Sequence, residues 1–174
     1  GSFTCNNKTF IVEASGSDIW NAFDGFRYVF QLVSGDCAMI TRVDSLIGNH
    51  EWAKAYIMVR ESLTGGSKTA MVLVSNRNGA TVHNRFTPNE RMEGTERHPE
   101  AKAPYWLKLV REGDLFHYYI SENGNEWKKI ESIENPMPDK VYIGLGVTSH
   151  DNDEVAKAIF SNYRLTAKTV KLDY

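Results

Sequence analysis

The chain has 174 residues, 41% of them hydrophobic and 24% charged, with a formal net charge of −2 at pH 7. This length suits one domain, residues 1–174, large enough to bury roughly 70% of its unfolded surface. The charge balance excludes a general affinity for nucleic acid or anionic membranes, which needs a basic excess. No apolar run approaches the ~18 residues of a membrane span.

In chain order, Gly1-Ser2 reads as an expression scar. Lys8 to Glu13 reads as a short strand, and Trp20, after the Gly16-Ser17-Asp18 turn, is expected to pack under an edge. Phe26 to Val33 alternates, with Phe26, Tyr28, Phe30 and Leu32 on one face. Gly35-Asp36 predicts a tight turn that sends Cys37 to Val43 back as the second arm of a hairpin. Cys5 and Cys37 could pair in an oxidising compartment or stay as separate thiols, and two cysteines with no nearby His do not make a zinc site.

Trp52 to Leu63 alternates cleanly over a long stretch. Ala53, Ala55, Ile57 and Val59 point one way, while Trp52, Lys54, Tyr56, Met58 and Arg60 point the other. Aromatic, thioether and guanidinium groups side by side are an unusual choice for a solvated strand face. Lys68 to Ser75 and Ala80 to Phe86 form a hairpin closed by Asn76-Arg-Asn-Gly79. Residues 87–104 are polar, contain Pro88, Pro99 and Pro104, and read as a long exposed loop, a kind that is usually functional or mobile.

Trp106 to Arg111, Leu115 to Ser121 and Glu126 to Ile130 form a meander. Lys140 to Thr148 places Val141, Ile143, Leu145 and Val147 inward, and a last strand runs from Ala156 to Leu165. Ten or so short strands with regular turns, and no long helical period, predict an all-β fold: an antiparallel two-sheet sandwich.

Several stretches carry a family likeness. They are Asp18-Ile-Trp20, Phe30-Gln-x-x-Ser-Gly-Asp36, Ala53-Lys-Ala-x-Ile-Met-Val-Arg-Glu-Ser-Leu63, Ala103-Pro-Tyr-Trp-Leu-Lys-Leu-Val-Arg111, Ser121-x-Asn-Gly-x-x-Trp127 and Tyr142-Ile-Gly-Leu-Gly-Val-Thr-Ser-His150. Over nearly the whole chain the sequence resembles the bacterial concanavalin A-like (laminin-G-like) jelly-roll domains, with a branch related to the fungal enolase-regulator family. The resemblance implies a jelly roll and a carbohydrate-binding or accessory module of a secreted, periplasmic or cell-surface protein. Tyr56 stands where that pattern has Gly, residues 87–104 are more charged than its Gly/Ser-rich loop, and Asp151-Asn-Asp-Glu154 is more acidic than its usual Asn-rich turn.

Pairing in jelly-roll order would bring Arg42, Tyr56, Met58, Arg60, Lys108, His117, Tyr119 and Tyr142 onto one concave sheet face. Aromatic rings can support sugar C–H faces there, and planar donors can bind hydroxyls or carboxylates. Gly144 and Gly146 would leave the floor bare for ligand, and Tyr56→Gly would then spare folding and weaken binding. The alternative is that Arg42 and Arg60 pair with carboxylates such as Asp44 or Glu61 and hold register.

No strand carries the alternating carboxylates of a jelly-roll glycosidase, so catalysis is not expected. His117 and Tyr119, two apart on one strand, with Arg60, offer a lyase as a third reading. The second reading is an interaction domain that packs on a catalytic neighbour, with Tyr56 and Met58 as anchors. No cofactor is expected beyond calcium, for which Asp151, Asp153 and Glu154 are the candidate ligands. The expected partner is a polysaccharide or oligosaccharide.

Overall fold

The alternating segments become strands in the computed structural model, which describes residues 1–170. In order these are β1 (Ser2–Asn6), β2 (Thr9–Gly16), β3 (Arg27–Ile47), β4 (Lys54–Arg60), β5 (Thr69–Ser75), β6 (Gly79–Arg85), β7 (Glu93–Gly94), β8 (Tyr105–Glu112), β9 (Leu115–Ser121), β10 (Lys128–Glu134), β11 (Lys140–Thr148) and β12 (Asp151–Thr169). All pairings are antiparallel.

The hairpin expected at Gly35-Asp36 does not form. Gly35 takes φ 73°, which only glycine adopts freely, and the backbone bends there without pairing its two arms. The result is one 21-residue strand shared by two sheets. Its first arm pairs with β11, which continues through β4, β5 and β6 to β7. Its second arm pairs with β8, followed by β9 and β10, and on its other side with β12, β2 and β1.

The main core lies between the sheets. Ile57, Val59, Val72 and Val82 from one meet Leu107, Leu109, Phe116 and Ile120 from the other, along with all four inward residues of β11. Each fully buried Ile or Val contributes roughly 1.5–3 kcal/mol. Tyr118 reaches into this core and donates to Asn84 Oδ1 at 2.7 Å, so its buried hydroxyl is satisfied. The Asn-Gly turn after β9 behaves as its sequence suggests. Asn123 Oδ1 accepts from the backbone of Asn125 and Glu126, and Gly124 packs so close to Trp106 that a Cβ would sit 2.6 Å from the ring.

One segment differs from expectation, and the alternative left open for the cysteines is decided for separate thiols. Residues 87–104 are tied to the sheet through β7 and an Ala80–His98 bridge, with Met92 and Ala101 buried, so this is no free loop. Cys5 is exposed, Cys37 is buried, and the two do not pair.

Candidate functional site

The outer face of β4 is covered. Residues 17–26 and 87–94 lie across it, and Ile19, Tyr56, Met58, Met71, Leu73 and Met92 form a second, smaller core with Trp20, Phe26 and Tyr28 at its margin. Tyr56 and Met58 are fully buried. Gly146 is not a bare ligand floor: a Cβ there would lie 2.0 Å from Tyr56 Cε2, so the glycine makes room for the tyrosine ring.

Arg60 is equally enclosed. It bonds Asp24 at 2.7 Å rather than Glu61 and also donates to the carbonyls of Ser62 and Thr64. Asp24 in turn holds Arg85 by two contacts, at 2.6 and 2.8 Å. Tyr142 sits across from Arg60 on β11, half-buried, edge-on to Phe30 with centroids 5.3 Å apart.

Arg42, Lys108, His117 and Tyr119 lie elsewhere. They project from the outside of the second sheet, alternating with core residues of β3, β8 and β9. The eight residues expected on one face therefore divide between opposite outer sides of the sandwich. Arg42 pairs with Asp44 at 2.9 Å. Lys108 lies over the Tyr119 and Trp127 rings, and His117 contacts Ser132 and Glu112. The proposed lyase trio is not assembled, since His117 and Tyr119 are on the far sheet from Arg60. In the acidic turn, Asp151 Oδ1 accepts from the Asp153 backbone and Glu154 accepts from Asn49. Among the described residues no three His, Cys, Asp or Glu side chains converge to hold a metal ion.

What the chain does assemble is a pocket of about 350 Å³ at one end of the first sheet, lined by Asp18, Trp20, Trp52, Lys54, His83 and His150. Trp20 is a wall of it, half-buried, rather than a core residue. Lys54, the first residue of β4, is almost wholly buried, with Nζ 2.5 Å from Asp18 Oδ1. The other Asp18 oxygen lies 3.1 Å from His150 Nδ1. His150 has φ 64°, a left-handed conformation in which side chains are sparse, and stacks on His50 with centroids 4.1 Å apart. His83 is edge-on to Trp20 at 4.7 Å, and its Nδ1 is buried with no hydrogen-bond partner. Arg91 lies over the Trp20 ring and Arg97 over the Trp52 ring.

Burial dominates the protonation of this cluster. It lowers Lys54, against the opposing pull of Asp18. It pushes His83 down to about 3, with the Lys54 charge adding to the effect, and it lowers His150. A histidine whose folded pKa is depressed keeps its full stabilising contribution above its unfolded pKa of 6.5, because below that value the unfolded chain takes up a proton that the folded chain refuses. Stability is thus expected to fall as the pH drops from 6.5 toward 3 on account of His83, by on the order of 1 kcal/mol per pH unit. Urea titrations at pH 7 and 5 check this. His83→Leu should flatten the slope, and parallel slopes for the two proteins would contradict it.

No family model matches the sequence, and no curated protein matches it. Solved structures do. A functionally unknown protein from Saccharomyces cerevisiae superposes with TM-score 0.76 at 18% identity, over 99% of this chain and 93% of that one. A carbohydrate-binding module from Bacillus subtilis gives 0.64 at 16% identity, over 96% and 92%. The fold is the concanavalin A-like jelly roll. The exoplasmic/lumenal domain of VIP36, in a Ca2+/Man-bound form, shares the jelly roll with TM-score 0.58 at 13% identity, over 100% of this chain and 84% of that one.

Proposed function

We propose that this chain is a non-catalytic carbohydrate-binding module of a secreted or cell-surface protein, and that the saccharide enters the pocket between Trp20 and Trp52. The observation that carries the reading is the pairing of two indole walls with a polar floor of Asp18, Lys54 and His83. Indoles supply flat apolar surface for sugar C–H groups, and the floor supplies hydrogen bonds for hydroxyls. The jelly rolls of the Bacillus subtilis module and of Man-bound VIP36 support it by analogy of fold. The volume suits a short saccharide, since it lies at the small end of ligand pockets, roughly 300–1,000 Å³. Glycan-array screening followed by calorimetry tests the proposal. Trp52→Ala is expected to weaken binding by about tenfold or more with the melting temperature unchanged. Failure of the intact protein to bind any glycan would sink it.

A second reading, an interaction domain packing on a neighbour, is favoured by Phe23 and Leu63, two largely exposed apolar side chains. Leu63 adjoins the half-buried row Phe26, Tyr28 and Phe30 beside Arg60, and Phe23 lies against Gly65 at the edge of the same hollow.

A further inference from the structure

The hydrogen-bonding groups around the pocket are unevenly spent. Asp18 is the sole carboxylate among the lining residues, and it is already engaged. One of its oxygens accepts from the Ile19 backbone at 2.7 Å and from Lys54 at 2.5 Å, and the other faces His150 at 3.1 Å. The donors are in the opposite condition. Lys54 has three N–H bonds: one goes to Asp18, a second lies 3.4 Å from His150 Nδ1, and the third is free. Among the described residues, the indole N–H groups of Trp20 and Trp52 and the guanidiniums of Arg91 and Arg97 have no acceptor at all.

These cations are also placed in common. Lys54 Nζ lies 5.5 Å and Arg97 Cζ 5.7 Å from the centre of the same Trp52 ring, while Arg91 Cζ lies 4.9 Å from that of Trp20. Glu90, Glu93 and Glu96, on the segment that carries both arginines, are exposed and pair with neither. Stacking on an indole holds a guanidinium in place before any ligand arrives, so less side-chain freedom is lost on binding.

A neutral sugar hydroxyl donates as well as accepts, and inside the pocket its proton would find few free acceptors besides the unpartnered His83 Nδ1. A carboxylate or sulfate only accepts. We propose that the pocket takes an acidic saccharide, its anionic oxygens accepting from Lys54 and Arg97 around Trp52, with Arg91 adding positive charge at the mouth. This rests on the carbohydrate reading and narrows it. Lys54, sheltered from water, gives a charge-assisted hydrogen bond that is stronger than at the surface, and the unpaired arginines spare the incoming anion from burial without a counter-charge.

Two matched pairs of probes test the proposal by calorimetry: polygalacturonate against its methyl-esterified form, and a sulfated galactan against the same galactan desulfated. The acidic member of at least one pair is expected to bind roughly tenfold tighter, with the gap closing as salt is raised. Whether the carboxylate or the sulfate pair shows the gap identifies the group. Arg97→Gln, at an exposed position, should fold normally and lose most of the preference. Equal affinity within both pairs overturns the acidic assignment and leaves the carbohydrate reading standing. A preference untouched in both Arg97→Gln and Arg91→Gln overturns the roles given to these residues. Binding to none of the four probes overturns the acidic assignment, and the glycan array then decides whether the carbohydrate reading falls with it.

Discussion

Asp24→Ala is expected to destabilise the protein by about 3–5 kcal/mol, measured as a loss of urea midpoint at constant slope. Asp24 is the common partner of Arg60 and Arg85, and all three side chains are at most 1% exposed. Removing the carboxylate strands two guanidiniums away from water with no counter-charge, which is far costlier than losing a surface pair. The damage would spread through the carbonyls these arginines also hold. Arg60 gathers Ser62 and Thr64, and Arg85 gathers Asn21, Ser67 and Glu90. Asn21 and Glu90 belong to the segments that cover the first sheet, and Ser62, Thr64 and Ser67 to the connection between β4 and β5, so both should loosen with the loss. A cost below ~1 kcal/mol, the level of an exposed pair, would show the cluster to be far wetter than its geometry.

Tyr56→Gly is the second large effect, and it reverses the sequence-based expectation that folding would be spared. The ring is fully buried and fills the space above Gly146. Deleting it leaves a cavity worth ~3–5 kcal/mol, and glycine in a strand adds up to ~1 kcal/mol. The hydroxyl is a separate matter. It is buried without a partner, so Tyr56→Phe should be neutral or slightly stabilising. Thermal melts of both variants decide the point: a mild Tyr56→Gly phenotype would mean the residue faces water after all.

Tyr56 also shows what could be read from the chain and what could not. Its strand, its period and its partner face were legible, because alternation of Ala55, Ile57 and Val59 fixes which side meets the main core. Nothing local distinguishes an outward face that meets ligand from one that meets another part of the same chain. That depends on where residues 17–26 and 87–94 travel, and it is decided by the distant carboxylate of Asp24 meeting Arg60 and Arg85. Likewise Gly35 signals a sharp bend correctly, but the signal does not say whether the strand returns to its own sheet or passes to the other.

The pocket was hidden for a related reason. Asp18, Lys54, His83 and His150 come from four separate parts of the chain, and no spacing links them. Two signals were present. Lys54 and Arg60 are the charged ends of a strand that is otherwise apolar and aromatic, and Trp20 directly follows an Asp-Ile pair in a turn. A lysine that must be buried by its strand needs a carboxylate nearby, and that requirement could have directed attention to Asp18.

The bent strand β3 has a mechanical consequence. Its two arms run from the bend at Gly35 back toward one end of the sandwich: Arg27 lies opposite Val147 in one sheet, while Ile47 leads through the segment carrying His50 and Trp52 into β4. The main core fills the space between these arms, so the left-handed glycine at the far end governs how the two sheets close on it, like the spring of a pair of tweezers. The pocket lies outside the tweezers, on the outer face of the first sheet, and none of its lining side chains comes from β3.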